Sequence, residues 1–213
     1  MIAALYEDEE VLVLDKPPGL ASQPGEGVRI SLVEAVERDY GFRPFLVHRL
    51  DKETSGCVVV AKSARAAARW ARLIESRELA KAYRAVVSGR PPAPSGRFEA
   101  PIATRAGERA ASTDYRLIAS FGEFSYLELV LGTGRMHQIR LHLAGAGLPI
   151  LGDDRHGDFP LNKRLRREAG LRRLLLHSRS LRLPGGPVVT APMPAHFADF
   201  MARFPGAPDP EAA

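Results

Sequence analysis

The sequence predicts an α+β fold built on a mixed β-sheet, and three observations support this prediction. With 213 residues and 45% hydrophobic composition, the chain can fill the core of a compact domain. Short β-branched segments bounded by turn signals predict strands, and segments with apolar residues at helical spacing predict helices. The two kinds of segment do not alternate regularly, which disfavours a doubly wound parallel sheet.

The first part of the chain predicts three strands and two helices. The strands are expected at residues 3–6, 11–15 and 56–62, and the helices at 31–40 and 64–75. Ser31 and Glu34 have the spacing of a capping box, in which each side chain binds a backbone amide at the start of a helix. The second helix is expected to bury one apolar face, formed by Ala67, Trp70 and Ile74.

The rest of the chain continues the mixture of strands and helices. Strands are expected at residues 81–87, 113–119, 124–131, 174–183 and 188–191, and helices at 161–169 and 196–204. A further helix is expected from Arg135, with one apolar stripe formed by Met136, Ile139, Leu143 and Ala146. Residues 205–213 are expected to form a flexible tail.

Composition excludes several classes of protein. Lys and Arg outnumber Asp and Glu by 30 to 25, a modest excess that favours a polyanionic partner only weakly. The single cysteine, Cys57, excludes an intramolecular disulfide framework and a cysteine-based zinc knuckle. Neither a run of about 18 apolar residues nor the layout of a signal peptide is found. We therefore expect no membrane span and a cytoplasmic location.

One segment concentrates reactive side chains. Residues 48–56 carry an imidazole, a guanidinium, two carboxylates, an ammonium and two hydroxyls directly before a predicted strand. A carboxylate such as Asp51 can serve there as a nucleophile, a general base or an electrostatic stabiliser. For an arbitrary charged loop, the more common alternative is a solvated turn with local ion pairs.

A second segment, residues 134–143, places basic side chains on a predicted helix. If the helix buries its apolar stripe, Arg140 lies at the edge of that stripe and can point at a partly enclosed carboxylate. A guanidinium does not lose its proton, so it would keep such a carboxylate ionised. Arg135, His137 and Gln138 could hold phosphates or a base edge. The alternative is an amphipathic helix with a solvated basic face.

Four motifs together resemble the RluA-type pseudouridine synthases. The sequence His-Arg-Leu-Asp-Lys-Glu-Thr-Ser-Gly at residues 48–56 is similar to the signature of that family. The other resembling motifs lie at residues 14–20, 81–83, and 134–140 followed by 149–153. Their order and spacing agree over nearly the whole chain, which chance does not readily produce for four motifs.

The resemblance implies an enzyme that isomerises uridine in RNA. The bond from ribose C1′ to N1 is broken and the sugar is joined to C5 instead. Asp51 would be the catalytic carboxylate, acting either by covalent attack on C1′ or through a glycal-type elimination. Tyr83 would stack on the uracil, with a core tyrosine as the alternative, and Arg140 would pair with Asp51. Since the atoms are only rearranged, the resemblance implies no cofactor, and no metal site is predicted.

The same resemblance implies the residues that contact RNA. Arg49 would help to displace the target nucleotide from its stack, a step that base chemistry in folded RNA requires. His48 either contacts RNA or fixes the loop. Arg135, His137 and Gln138 would also bind RNA.

The resemblance also implies a pseudouridine synthase fold, with a mainly antiparallel sheet in two halves, flanking helices and a central cleft. The chain departs from the family pattern in two places. Many relatives carry an N-terminal RNA-binding domain, whereas here we expect a single catalytic domain over residues 1–204. Target selection would then rest on this domain, including the basic run 163–173. The motif after Asp153 usually ends in tyrosine-glycine but reads Arg155-His156-Gly157 here, which puts the local packing in question.

The sequence thus predicts a monomeric RNA pseudouridine synthase that acts on structured ribosomal or transfer RNA without an obligate protein partner. The alternative is an RNA-binding or RNA-folding factor on the same scaffold with little turnover. The joint presence of Asp51, Tyr83 and Arg140 argues against it, because binding alone needs none of the three together. A glycoside hydrolase would need a second acid. Glu53 lies two residues from Asp51, but nothing else supports this alternative.

Overall fold

The computed structural model describes residues 1–104 and 107–211, which form two compact units. Unit 1 comprises Met1–Lys81 and Ser178–Pro192, and unit 2 comprises Ala82–His177 and Met193–Ala213. The single domain predicted for residues 1–204 therefore spans both units. Among the described residues, no helix has the length and the apolar character that crossing a membrane requires.

Twelve strands and five helices are found in the described residues. In chain order they are β1 (Ala4–Glu7), β2 (Val11–Lys16), α1 (Leu32–Tyr40), β3 (Phe45–Leu46), β4 (Ser55–Ala61), α2 (Ala64–Glu75), β5 (Ala80–Ser88), β6 (Ser95–Phe98), β7 (Ile102–Thr104), β8 (Gly107–Arg109), β9 (Thr113–Phe121), β10 (Phe124–Leu131), α3 (Gln138–Gly145), α4 (Phe159–Glu168), β11 (Leu176–Arg182), β12 (Val188–Thr190) and α5 (Ala195–Met201). The α+β class with mainly antiparallel strands is confirmed.

Unit 1 is organised around β4. β2 pairs antiparallel with both β1 and β4, and β3 pairs with the end of β4. Every residue of β4 is buried, including the run Val58, Val59 and Val60. A strand that is covered on both faces is apolar throughout, which is why this segment lacks the alternation of a surface strand.

The two helices of unit 1 begin where the sequence predicts. Ser31 and Glu34 form the expected capping box at α1: the Ser31 hydroxyl accepts from the Glu34 amide, and the Ser31 amide donates to the Glu34 carboxylate at 2.7 Å. α1 ends at Gly41, whose φ of 76° is readily adopted by glycine. In α2, Trp70 is buried and its indole N–H donates to Glu10.

Unit 2 contains the antiparallel order β5, β10, β9 and β6. β9 and β10 form the predicted hairpin, with Gly122 at a φ of 54° in the turn between them. β7 pairs with β8 as a separate two-stranded sheet.

α4 and α5 pack on the core of unit 2. Leu165 of α4 and Phe200 of α5 belong to the same buried cluster as Phe124 and Tyr126 of β10. Residues 205–211 of the expected tail are described by the structure, whereas 212 and 213 lie outside the described residues. Within this segment Pro210 is buried, and its carbonyl accepts a hydrogen bond from the Tyr126 hydroxyl at 3.0 Å.

The apolar stripe predicted for the helix from Arg135 is partly wrong. The helix α3 begins only at Gln138, so Met136 precedes it and is 69% exposed. Ile139 and Leu143 are buried as predicted, but Ala146 follows the helix and is exposed. The reason is the left-handed backbone at His137, φ 54°, which prevents the helix from extending toward Met136.

Candidate functional site

The loop between β3 and β4 carries Asp51 and is anchored by a buried neighbour. Leu50 is buried, and its backbone is held by Ser22, whose hydroxyl donates to the Leu50 carbonyl at 2.7 Å and accepts from its amide at 3.3 Å. After Asp51 the chain makes a turn in which the Thr54 amide donates to the Asp51 carbonyl at 3.2 Å. The backbone on both sides of Asp51 is therefore fixed, while the residue itself is half-buried.

Lys16, at the end of β2, is a further residue of this site. Its side chain is fully buried, and Nζ donates to the carbonyls of Pro17, Leu20 and Lys52 at 2.8–3.0 Å. Burial lowers the pKa of Lys16 to about 7, although the negative charges of Glu53, Asp51 and Asp15 oppose this lowering. Lys16 thus joins the segment 16–20 to the Asp51 loop.

The role of Lys16 was missed by sequence reasoning. The residue lies within the motif at 14–20, but spacing alone does not show that the ammonium is enclosed by backbone carbonyls. The available signal was the pair of prolines after Lys16, which end the strand and turn the chain back toward it.

His48 fixes the loop to β4. Its Nε2 accepts a hydrogen bond from the Val59 amide at 3.1 Å, just beyond the point where β3 stops pairing with β4. Burial, and secondarily the positive charge of Lys81, lower the pKa of His48 to about 3. The imidazole is therefore neutral near pH 7, and its Nε2 serves as an acceptor. Of the two roles considered for His48, this geometry supports fixing the loop.

Arg49 lies on the same loop and is exposed to solvent. The residues on either side of it, His48 and Leu50, are bound within unit 1. An exposed guanidinium on an anchored loop has the position that displacement of a nucleotide would need, although that role stays a prediction.

Tyr83 lies on β5 in unit 2, opposite Leu129 of β10. It is 5% exposed, so the strand and its neighbours hold the residue in place. Stacking on uracil and the alternative of a core tyrosine both stay predictions.

Arg140 lies on α3 and forms a buried bidentate ion pair with Asp153. Its Nε donates to Oδ2 at 2.8 Å and its Nη2 to Oδ1 at 2.7 Å, and the two residues are 4% and 1% exposed. Asp154, which is largely exposed, lies 3.5 Å from the same Nη2. The guanidinium is therefore held in a fixed plane by Asp153. The predicted pairing of Arg140 with Asp51 stays a prediction.

Asp153 also accepts hydrogen bonds from the backbone. The amides of Arg155 and His156 both donate to its Oδ1 at 2.9 Å. Burial alone would raise the pKa of Asp153, but the hydrogen bonds from Arg140 and from these two amides outweigh it and hold the pKa below its usual value. Sequence reasoning included Asp153 in a motif without giving it this role.

Two glycines allow the loop around Asp153 to pack closely. Gly152 has a φ of 77°, and a Cβ at this position would lie 2.1 Å from the Arg173 carbonyl oxygen. A Cβ at Gly157 would lie 2.4 Å from the Asp153 carbonyl oxygen. No larger residue fits either position without displacing backbone.

Gln138 holds the turn before α3 from inside. Its Oε1 accepts from the Thr133 hydroxyl at 2.6 Å and from the Arg135 amide at 3.0 Å. Its Nε2 donates to the Ser112 carbonyl at 2.8 Å and to the Thr113 hydroxyl at 3.1 Å. The residue is 2% exposed. Gln138 would have to leave these partners to make its predicted contact with RNA. Arg135 is exposed and could contact RNA without such a change.

His137 and His156 form a hydrogen-bonded pair. The distance from Nδ1 of His137 to Nε2 of His156 is 2.9 Å, and the rings meet edge to face. One nitrogen must donate and the other accept, so the accepting ring is neutral while the bond exists. His156 ties the Asp153 loop to the start of α3, at the position where the resemblance described above implies tyrosine.

Apart from Tyr83 on β5, the structure places the predicted residues in two groups. His48, Arg49 and Asp51 share one anchored loop of unit 1, and Arg135, His137, Gln138 and Arg140 lie together at the start of α3 in unit 2. Within the described part of the chain, no group of three or more His, Cys, Asp or Glu side chains is arranged to hold a metal ion.

Comparison with known proteins gives a consistent result. The model of the RNA pseudouridylate synthase family matches residues 10–145, which include Asp51, Tyr83 and Arg140. Ribosomal large subunit pseudouridine synthase C of Haemophilus ducreyi is 34% identical over 94% of this chain and 68% of its own length. Ribosomal large subunit pseudouridine synthase D of Yersinia pestis is 37% identical over 73% of this chain and 53% of its own length.

Solved structures show the same similarity at the level of the fold. The human RNA pseudouridylate synthase domain containing 4 has a TM-score of 0.81 with 25% identity, and the match covers 94% of this chain and 92% of that chain. The RluA-type resemblance seen in the four motifs is thereby confirmed. The chain belongs to the RNA pseudouridylate synthase family.

Proposed function

We propose that this protein is an RNA pseudouridine synthase in which Asp51 is the catalytic carboxylate. The observation that carries the proposal is the family match over residues 10–145, because it includes all three predicted catalytic positions. The anchored backbone around Asp51 supports it further, since a catalytic group must be held in position before substrate arrives.

The proposed reaction conserves all atoms. The C1′–N1 bond of a uridine breaks, the uracil turns, and C1′ bonds to C5. C5 then loses its proton and N1 gains one, either by direct transfer or through exchange with solvent. Asp51 would either attack C1′ covalently or act as the base in a glycal-type elimination, and both roles need the ionised carboxylate. A nearby guanidinium at Arg140 would keep Asp51 ionised, and the bond to Asp153 holds that guanidinium in place. No cofactor takes part in this scheme.

The proposed substrate is structured RNA. The relatives named above are described as acting on the large ribosomal subunit, which favours ribosomal RNA as the target here, with transfer RNA as the second possibility. Exposed Arg49 would displace the target nucleotide, and exposed Arg135 would contact phosphate. The protein is expected to act as a monomer in the cytoplasm.

The test is the substitution Asp51→Asn, with Glu53→Gln as the matched control two residues away. We expect Asp51→Asn to lower isomerisation of a ribosomal RNA fragment by at least about 10²–10⁴-fold, while RNA affinity changes less than about twofold. Glu53→Gln should retain isomerisation, whereas a hydrolase that uses both acids would lose activity in both variants. Undiminished isomerisation by Asp51→Asn would overturn the assignment.

The target itself can be identified in cells. Pseudouridines are mapped in total RNA with and without the gene for this protein, and the site that disappears is the substrate. If every ribosomal site persists and a transfer RNA site is lost, the preference for ribosomal RNA is wrong. If no site is lost, the proposal of a synthase fails in favour of an RNA-binding factor.

A further inference from the structure

α4 presents an exposed face that combines an aromatic ring with positive charges. Phe159 at its start is 57% exposed, and Lys163 and Arg166 are exposed as well. Positions separated by four and seven residues lie on one side of a helix, so the three side chains form a single stripe. The opposite side of α4 is buried through Leu161 and Leu165. A single exposed phenylalanine is ordinary on a protein surface, so this stripe gains significance only together with the cavity beside it.

A cavity of about 350 Å³ lies beside this stripe. Its lining includes Gly152, Asp154, Phe159, Lys163, Arg166 and Arg172. The volume falls at the lower end of the range of about 300–1,000 Å³ that small-molecule sites occupy. The lining carries three cations and one carboxylate, so its net charge is positive.

The cations of this cavity form no close ion pairs with acids among the described residues. In the described part of the chain, no carboxylate forms an ion pair within 4.0 Å with Lys163, Arg166 or Arg172. Arg164 of the same helix differs, because it pairs with Glu123 outside the cavity. Lys163 and Arg166 of α4 are therefore available to bind an anion that enters the cavity.

The cavity adjoins the loop that positions Arg140. Gly152 and Asp154 line the cavity, and Asp153 between them forms the buried pair with Arg140. A chain of nucleotides bound near Arg140 in unit 2 could therefore extend into this cavity. This continuity favours RNA over an unrelated anionic ligand.

We propose that this cavity binds one unpaired nucleotide of the RNA substrate, outside the target uridine. Its base stacks on Phe159, and its flanking phosphates contact Lys163, Arg166 and Arg172. Stacking on an exposed aromatic side chain combined with a basic groove is the usual way in which proteins hold single strands. A base within a duplex is already stacked on both faces, so the site selects unpaired RNA. The inference rests on the proposed function only in taking RNA as the substrate.

Two substitutions and two matched controls test the proposal. Phe159→Leu removes the aromatic face and Phe45→Leu does the same at an exposed phenylalanine in unit 1. Arg166→Gln removes a cation from the cavity, and Arg69→Gln removes an exposed, ion-paired cation from α2 in unit 1. Affinity is measured by fluorescence anisotropy at several salt concentrations, with a ribosomal RNA stem-loop that carries an unpaired flank.

We expect Phe159→Leu to weaken binding by about tenfold, in line with the loss of one stacked base. Arg166→Gln should reduce the slope of log affinity against log salt by about 0.7, the value for one phosphate of a single strand. Both controls should bind within about twofold of the unchanged protein, since neither touches the cavity.

Equal affinities for the cavity variants and their controls would overturn the proposal. So would equal competition by a fully paired duplex or by an acidic peptide, because the site would then not select an unpaired nucleotide. The comparison does not depend on Asp51: if Asp51→Asn still isomerises uridine, the proposed function fails, while the binding difference between Phe159→Leu and Phe45→Leu still decides the cavity.

Discussion

Replacing His48 with Gln should make the folded protein less sensitive to acid between pH 7 and pH 5. Nε2 of His48 accepts a hydrogen bond from the Val59 amide, and the side-chain oxygen of glutamine can reach the same place without titrating. The pKa of His48 is lowered from 6.5 to about 3 by burial and by Lys81. As pH falls below 6.5, the unfolded chain therefore takes up a proton that the folded chain does not, and stability is lost until pH reaches about 3.

The magnitude follows from the shift. Each pH unit in this window removes at most about 1.4 kcal/mol from the free energy of unfolding, so the loss between pH 6.5 and pH 5 is at most about 2 kcal/mol. This is an upper value because His48 keeps part of its surface exposed. Urea unfolding at pH 7 and pH 5 measures this loss of stability. Subtracting the loss found for His48→Gln from that of the unchanged protein removes the contribution of other groups.

His48→Leu provides the control for the hydrogen bond. Leucine cannot accept from the Val59 amide and does not titrate, so this variant should be less stable than His48→Gln by about 1–3 kcal/mol at both pH values. If His48→Gln and the unchanged protein lose the same stability between pH 7 and pH 5, the imidazole is not the acid-sensitive group and the reasoning is refuted.

Two further predictions concern the Asp153 loop. Asp153→Asn removes the charge that balances buried Arg140 and should lower the free energy of unfolding by about 3 kcal/mol. The control Asp154→Asn changes a residue that is 71% exposed and should lower it by less than about 1 kcal/mol. If urea unfolding gives similar values for the two variants, the pairing of Asp153 with Arg140 is contradicted. Gly152→Ala, where an added Cβ would meet a backbone oxygen at 2.1 Å, should cost more than about 2 kcal/mol. Gly122→Ala, with nothing within 4 Å, should cost only the left-handed strain of about 1–2 kcal/mol, and thermal unfolding compares the two.

Local signals in the sequence predicted the elements of the fold well. The capping box at Ser31 and Glu34 and the apolar run of β4 act within a few residues, so their effect can be derived without tertiary structure. The start of α3 could not be derived in this way. The first residue of α3 is Gln138, and its side-chain amide donates to the Ser112 carbonyl and the Thr113 hydroxyl, about 25 residues earlier in the chain. The helical spacing of apolar residues therefore led to a predicted helix that includes Met136, whereas Met136 lies before the first residue of α3.

The candidate site was predicted only in part, for a similar reason. Asp51 and Arg140 were singled out because charged side chains in motif order are visible in the sequence. Lys16 and Asp153 have roles that depend on which groups surround them after folding. Backbone carbonyls accept hydrogen bonds from Lys16, and backbone amides donate hydrogen bonds to Asp153. Neither kind of backbone partner has a sequence signature.

Buried Lys16 of unit 1 and buried Arg140 of unit 2 differ in how their charge responds to pH. Carbonyl oxygens around Lys16 carry only partial charge and do not fully replace water, so burial lowers its pKa to about 7. Asp153 supplies a full opposite charge to Arg140, and a guanidinium does not deprotonate in proteins, so that pair stays ionised at neutral pH. A rise in pH through about 7 therefore removes the charge of Lys16 beneath the Asp51 loop while the Arg140 group is unchanged. Lys16 is therefore a group of unit 1 through which the Asp51 loop can respond to pH near neutrality, because its ammonium binds the Lys52 carbonyl next to Asp51.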